Sequence, residues 1–142
     1  MIVYMHNKEF KADNLTKAHI DDAGHDIKSA EDVTIQPWQA MLVKTGLHID
    51  MDWPLYGLLV SRSGMMIRHN VEAATAVIDS GYQGEVQVLL RNHSDSAYEV
   101  KKGDRIAQMV FHALPSVTVV EEDIDVWDKT VRGSEGMGST GT

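Results

Sequence analysis

Arg105-Ile106-Ala107-Gln108-Met109-Val110-Phe111 sets five apolar residues among seven, directly after a Lys102-Gly103-Asp104 turn signal. That is the length and composition of a half-buried β-strand, and no 3.6-residue periodicity competes with it. Working outward, similar runs recur: Val33-Thr34-Ile35, Ala40-Met41-Leu42-Val43, Gly46-Leu47-His48-Ile49, Tyr56-Gly57-Leu58-Leu59-Val60, Glu85-Val86-Gln87-Val88-Leu89-Leu90 and Val117-Thr118-Val119-Val120. Turn signals separate them at Gln36-Pro37, Trp53-Pro54, Asp79-Ser80-Gly81 and Asn92-His93-Ser94-Asp95. The one helix candidate is short, around residues 63–70. Many short strands at this spacing predict an all-β sandwich, jelly roll or barrel.

Composition bounds the rest. The chain has 142 residues, 43% hydrophobic and 24% charged, the profile of one globular domain. The absence of cysteine excludes disulfide scaffolds, thiolate metal sites and cysteine nucleophiles. Met1 to Lys8 lacks the pattern of a secretory signal, and no apolar run approaches the roughly 20 residues needed to span a bilayer. A cytoplasmic protein with no membrane partner is expected. A net charge of −8 argues against binding of polymeric nucleic acid, which needs a basic face. It leaves room for a small anion held by a few arginines, a metal ion and backbone amides. The acidic run Glu121-Glu122-Asp123-Ile124-Asp125 reads as a solvated segment.

Three segments carry candidate chemistry. Arg62-Ser63-Gly64 follows an apolar strand and opens the short helix candidate. A guanidinium fork, a hydroxyl and unpaired amides make a phosphate cradle, although such a tripeptide also serves as a plain turn. Val77-Ile78-Asp79-Ser80-Gly81-Tyr82-Gln83-Gly84 puts a carboxylate and an aromatic ring in a turn between strands. It could position a water and pack a sugar, or be an Asx-turn beside a packed tyrosine. Arg132-Gly133-Ser134-Glu135-Gly136-Met137-Gly138-Ser139-Thr140 spaces its glycines like a P-loop, but Ser139 stands where the lysine belongs and no helix follows. What remains is either a frayed tail or a Gly-rich arm that wraps phosphate from outside.

Together, in this order and spacing, these segments resemble the trimeric dUTP diphosphatase family from about residue 23 to the end, across all five of its motifs. Ala23-Gly24-His25-Asp26-Ile27 is similar to the first, Ser61-Arg62-Ser63-Gly64 to the second, and Val77 through Gly84 to the third. Gly103-Asp104-Arg105-Ile106-Ala107-Gln108 is similar to the fourth, and Arg132 to Gly141 to the fifth. The resemblance implies a distorted jelly-roll or β-barrel-like domain over residues 1–128 and a flexible arm over 129–142. It implies a homotrimer whose sites are shared between subunits. It further implies hydrolysis of dUTP to dUMP and pyrophosphate with Mg²⁺. Asp26 would act on the metal through water, while Arg62, Ser63, Gly64 and Gln108 hold phosphate. Asp79 would be the general base, Tyr82 would pack under deoxyribose, and hairpin main-chain groups would read uracil. Arg132, Met137, Gly138, Ser139 and Thr140 would close over the nucleotide.

The chain departs from the family pattern in places. Met137 stands where a Phe covers the base, and Glu135 and Gly81 replace a Gly and an Asp. Residues 62–79 run about two shorter than the common form, with Ala73-Ala74-Thr75-Ala76 in place of a segment containing an Asn. A sister dCTP deaminase would need a carboxylate about ten residues beyond Asp79; Leu89 and Leu90 cannot transfer a proton. A nucleotide-gated regulatory protein that binds a partner protein is the alternative from another class. Trp38, Trp53 and Trp127 are expected to pack in a core or interface, and His25 and His69 to lie at the surface. Arg68 is open between solvent and phosphate.

Overall fold

The alternation of apolar and polar residues becomes a strand framework in the computed structural model, which describes residues 3–7, 14–126, 130, 131 and 133. Eleven strands form among these residues: β1 (Val3–Asn7), β2 (His25–Lys28), β3 (Val33–Ile35), β4 (Ala40–Val43), β5 (Leu47–Met51), β6 (Leu55–Val60), β7 (Val71–Ala73), β8 (Ala76–Ile78), β9 (Val88–Asn92), β10 (Tyr98–Val100) and β11 (Arg105–Ala113). One helix, α1 (Ser63–His69), follows β6. The all-β, jelly-roll-like class expected from the sequence is the class observed.

A four-stranded sheet in the order β2-β11-β6-β8 organises the molecule, beside a three-stranded sheet β4-β9-β7 and the pairs β1-β5 and β3-β10. All pairings are antiparallel. Period-two burial is cleanest in β6, where Leu55, Gly57 and Leu59 point inward and Tyr56, Leu58 and Val60 outward. Inward residues of all the sheets meet in one core around Ile27, Ile35, Leu47, Leu59, Leu90 and Met109. Asn92 caps this core from within, donating from Nδ2 to the carbonyls of Ile35, Gln36 and Ser96, so its buried amide leaves no unpaired donor.

Several expectations are corrected. Residues 117–120 form no strand; Val117, Val119 and Val120 are exposed, Val119 to 91%. A strand needs a neighbour for its backbone groups, and no described strand runs beside this segment. Trp38 and Trp53, expected in a core or interface, are 68% and 74% exposed on the single chain and so lie outside its core, while Trp127 lies outside the described residues. The acidic run 121–125 is exposed, as expected. No helix among the described residues is long and apolar enough to cross a membrane.

Candidate active site

The outer end of the four-stranded sheet gathers the first, second and fourth candidate motifs. Gln108 on β11 lies opposite Asp26 on one side and Val60, the last residue of β6, on the other. Residues leaving β6 therefore arrive next to Asp26. Arg62 keeps an extended backbone (φ −91°, ψ 128°) before Ser63 opens α1. The amides of Ser63 and Gly64, being first in the helix, have no carbonyl within it to bond.

Side chains then lock together. Arg62 Nε lies 2.9 Å from Asp26 Oδ1, and Arg105 Nη1 lies 3.3 Å from Asp26 Oδ2. Arg62 Nη1 donates to the Arg105 carbonyl at 3.2 Å. Gln108 Nε2 donates to the Ser61 carbonyl at 3.0 Å. A Cβ at position 24 would overlap Gln108 Oε1 and push that side chain from its place in the cradle. A Cβ at Gly64 would come within 2.7 Å of Arg68 Nη2, so this second guanidinium folds over the helix start. Gly24, Asp26, Arg62, Ser63, Gly64 and Gln108 line a cavity of about 260 Å³, with Asp22 among its other walls. Of its two carboxylates, Asp26 is paired with Arg62 and Arg105 and Asp22 accepts from the His19 amide, while Arg62, the Ser63 hydroxyl and the free amides supply the donors that an anion needs.

The third candidate motif lies elsewhere. Asp79 follows the last residue of β8, and the Tyr82 amide donates to the Asp79 carbonyl at 3.0 Å, closing a turn. Tyr82 turns its hydroxyl back to the Glu85 carbonyl at 2.9 Å. Gly84 makes room for that ring, since a Cβ there would lie 2.6 Å from Tyr82 Cζ. The expected hairpin is corrected: β8 belongs to the four-stranded sheet and β9 to the three-stranded one, so residues 79–87 cross between sheets. Asp79, Tyr82, Glu85 and Gln87 line a cavity of about 250 Å³ with Val77, Ile78 and Val86.

Glu85 was missed by the sequence reading, because its partners lie 39 and 40 residues away. Its Oε1 accepts from the amides of Gly46 at 2.8 Å and Thr45 at 3.2 Å. Burial pushes its carboxyl up, but the Gly46 amide, Gln87, the Thr45 amide and Lys44 together outweigh it and hold the pKa below the ordinary 4.5. A depressed folded pKa adds stability above the unfolded value and loses it as pH falls through the folded one. Glu85→Gln is therefore expected to lower Tm at neutral pH, with the gap to the parent chain closing below pH 4.5. Thermal melts across that range check this; a constant gap would remove Glu85 titration from acid stability.

Within one chain the two cavities stand apart. Leu58 pairs with Val77 and Gly57 with Ile78, where the ladder ends; Asp79 lies just beyond that end, about six strand positions from Arg62. At about 3.3 Å per residue this separates the Asp79 and Arg62 backbones by about 20 Å.

Arg132, Met137, Gly138, Ser139 and Thr140 lie outside the described residues, as does Glu135. His69 is exposed as expected, but His25 is half-buried, packed edge-on against Phe111, and its Nδ1 is buried without a partner among the described residues. Burial, then Lys17, lower its pKa against a Met109 backbone hydrogen bond that raises it, because its strand faces β11 and not solvent. Leu90 is completely buried, which leaves no titratable group there for deamination. Among the described residues no three His, Asp or Glu side chains are grouped to hold a metal directly.

The chain is thus a jelly-roll-like β-domain with an arginine-bearing cavity at one sheet end and a carboxylate-tyrosine turn at the other. The dUTPase family model matches residues 11–141. The deoxyuridine 5'-triphosphate nucleotidohydrolase of Candida albicans is 40% identical over 126 residues, covering 89% of this chain and 79% of that protein. A solved Staphylococcus bacteriophage 80alpha dUTPase with dUpNHpp superposes with a TM-score of 0.83 at 27% identity, covering 99% of each chain. A dUTPase from phage phi11 of S. aureus, described with a structural Mg(II) ion, shares the fold at a TM-score of 0.74 and 24% identity, covering 87% of this chain and 99% of that one. The chain belongs to the dUTPase family.

Proposed function

We propose that the chain hydrolyses dUTP to dUMP and pyrophosphate in the presence of Mg²⁺, as a homotrimer whose sites combine residues of different subunits. The observation that carries this reading is the convergence of Arg62, Ser63, Gly64 and Gln108 on one cavity around Asp26.

In this reading the cradle holds the phosphates. Arg62 and the α1 amides stabilise the charge that develops on phosphoryl oxygens. Tyr82 packs beneath the deoxyribose, and main-chain groups of residues 79–87 read uracil. Asp79 accepts a proton from a water whose oxygen bonds the α-phosphorus in line, while the bond to the bridging oxygen breaks and pyrophosphate leaves. Asp26 and Gln108 present hard oxygen donors to the same cavity, a donor set that fits Mg²⁺ through its waters. When bound, the ion neutralises phosphate charge.

Composite sites follow from the separation of about 20 Å along β6, too far for one chain's cradle and Asp79 to serve one α-phosphorus. Threefold assembly would also cover the outward residues Leu58, Val77 and Val110 and the exposed valines of 117–120. The arm from Arg132, with Met137 over the base and Gly138, Ser139 and Thr140 on phosphate, would close the site. Deleting residues 132–142 is expected to leave a folded oligomer by sedimentation and circular dichroism, with little hydrolysis. Full activity in the truncated chain would remove the arm from the mechanism.

The deciding experiment offers dUTP, dCTP, dTTP and UTP separately with Mg²⁺ and follows pyrophosphate and ammonia. Pyrophosphate from dUTP alone is expected. Ammonia from dCTP would indicate deamination, and no product from any of them would overturn the enzymatic reading.

A further inference from the structure

We infer that Arg105 is a positioning residue of the phosphate cradle, turned toward it by a β-bulge so that it sets the orientation of Arg62 through Asp26. This rests on the reading of Arg62 as a phosphate ligand.

In an uninterrupted strand, residues 105 and 108 point to opposite faces, since side chains alternate. Gln108 points outward into the cradle cavity, so a regular β11 would drive Arg105 into the core. The register slips instead: Arg105 lies opposite Lys28, while Ala107 lies opposite Ile27. The extra residue lets Ile106 and Ala107 both face inward, 1% and 0% exposed. Arg105 then emerges on the face that carries Asp26 and Gln108. Re-aiming a side chain beside a site is a recurrent use of such bulges.

What Arg105 meets there is the second oxygen of the carboxylate that already holds Arg62. Its own carbonyl also accepts Arg62 Nη1. The Arg62 guanidinium is thereby fixed at Nε and through one N–H of Nη1, which sets the direction of the rest of its fork. The Arg105 side chain itself borders a different cavity, of about 380 Å³, shared with Lys17, Lys28 and Asp104. Asp26 lines both cavities. Arg105 therefore acts on the cradle through this carboxylate and not by touching a phosphate held there. The Arg105 side chain is half exposed, and such an ion pair adds little to folding stability; its consequence lies in where it holds Arg62.

The test compares the full-length parent chain, Arg105→Ala, Arg62→Ala and the double variant, by kcat and KM for dUTP and by calorimetric titration with inorganic pyrophosphate. Arg105→Ala is expected to raise KM about five- to tenfold and to weaken pyrophosphate comparably, with Tm nearly unchanged. In the Arg62→Ala background the same substitution should add less than about twofold, because the two act as one unit. Two results would overturn the inference: equal losses in both backgrounds, or a fall in kcat tracking lost folded protein with KM unchanged. If the parent chain fails to hydrolyse dUTP but binds pyrophosphate, the proposed function falls and the pyrophosphate comparison still decides the role of Arg105. Loss of both hydrolysis and pyrophosphate binding in the parent chain would remove Arg62 as a phosphate ligand, and the inference with it.

Discussion

Asp79→Asn is expected to lower turnover of dUTP by about 10²- to 10⁴-fold, the span for removing a positioned general base, while nucleotide binding is retained. The substitution is nearly isosteric, and the local turn does not depend on the carboxylate. Tyr82 donates its amide to the main-chain carbonyl of Asp79, which the variant keeps. The Tyr82 hydroxyl and the Glu85 contacts lie further along the same loop and are untouched. Loss of turnover would thus report the missing proton acceptor and not a collapsed loop. Single-turnover kinetics beside equilibrium binding of a non-hydrolysable analogue make the check. Unchanged turnover would take Asp79 out of the mechanism; parallel loss of binding would make it a contact and not a base.

Coexpressed Arg62→Ala and Asp79→Asn chains are expected to show far more activity than either has alone. If a site takes its cradle from one subunit and its base from another, randomly mixed oligomers contain both intact halves in about one quarter of their sites. Specific activity near that fraction of the parent value would therefore appear from two strongly impaired proteins. Sites built within one chain would give no recovery, since every chain carries one lesion. The physical ground is the β6–β8 register: in one chain Arg62 leaves β6 at one end of that ladder and Asp79 leaves β8 at the other. Purifying differently tagged chains through both tags removes the homotrimers and raises the expected fraction of intact sites to about one third.

The strand pattern was legible wherever alternation was strong. The runs at 33–35, 40–43, 56–60 and 105–111 all became strands, because burying one face of an antiparallel sheet leaves that pattern in the residues themselves. Short strands such as β7 and β8 flank the Ala73-Ala74-Thr75-Ala76 segment, whose alanines carry little of the strand signal that the β-branched residues of 33–35 supply. The Val117–Val120 run shows the opposite case: its pattern is that of a strand, but pairing requires a neighbour that the described chain does not place there.

The site divides in the same way. Arg62-Ser63-Gly64 and the Asp79–Tyr82 turn could be picked out from residue types and spacing, because a phosphate cradle and a tight turn are built from local chemistry. Their distance from one another could not, since it is set by the register of β6 against β8. Glu85 could not be found either, because the amides it holds come from Thr45 and Gly46. Nor could the role of Arg105: strict alternation would have assigned it to the core, and only a one-residue bulge puts it beside Asp26. Composition, turn chemistry and apolar periodicity are properties of a segment, so the chain alone determined its class and its chemical vocabulary. Register, bulges and long-range amide contacts are properties of pairs of segments, and those were decided only when the strands met.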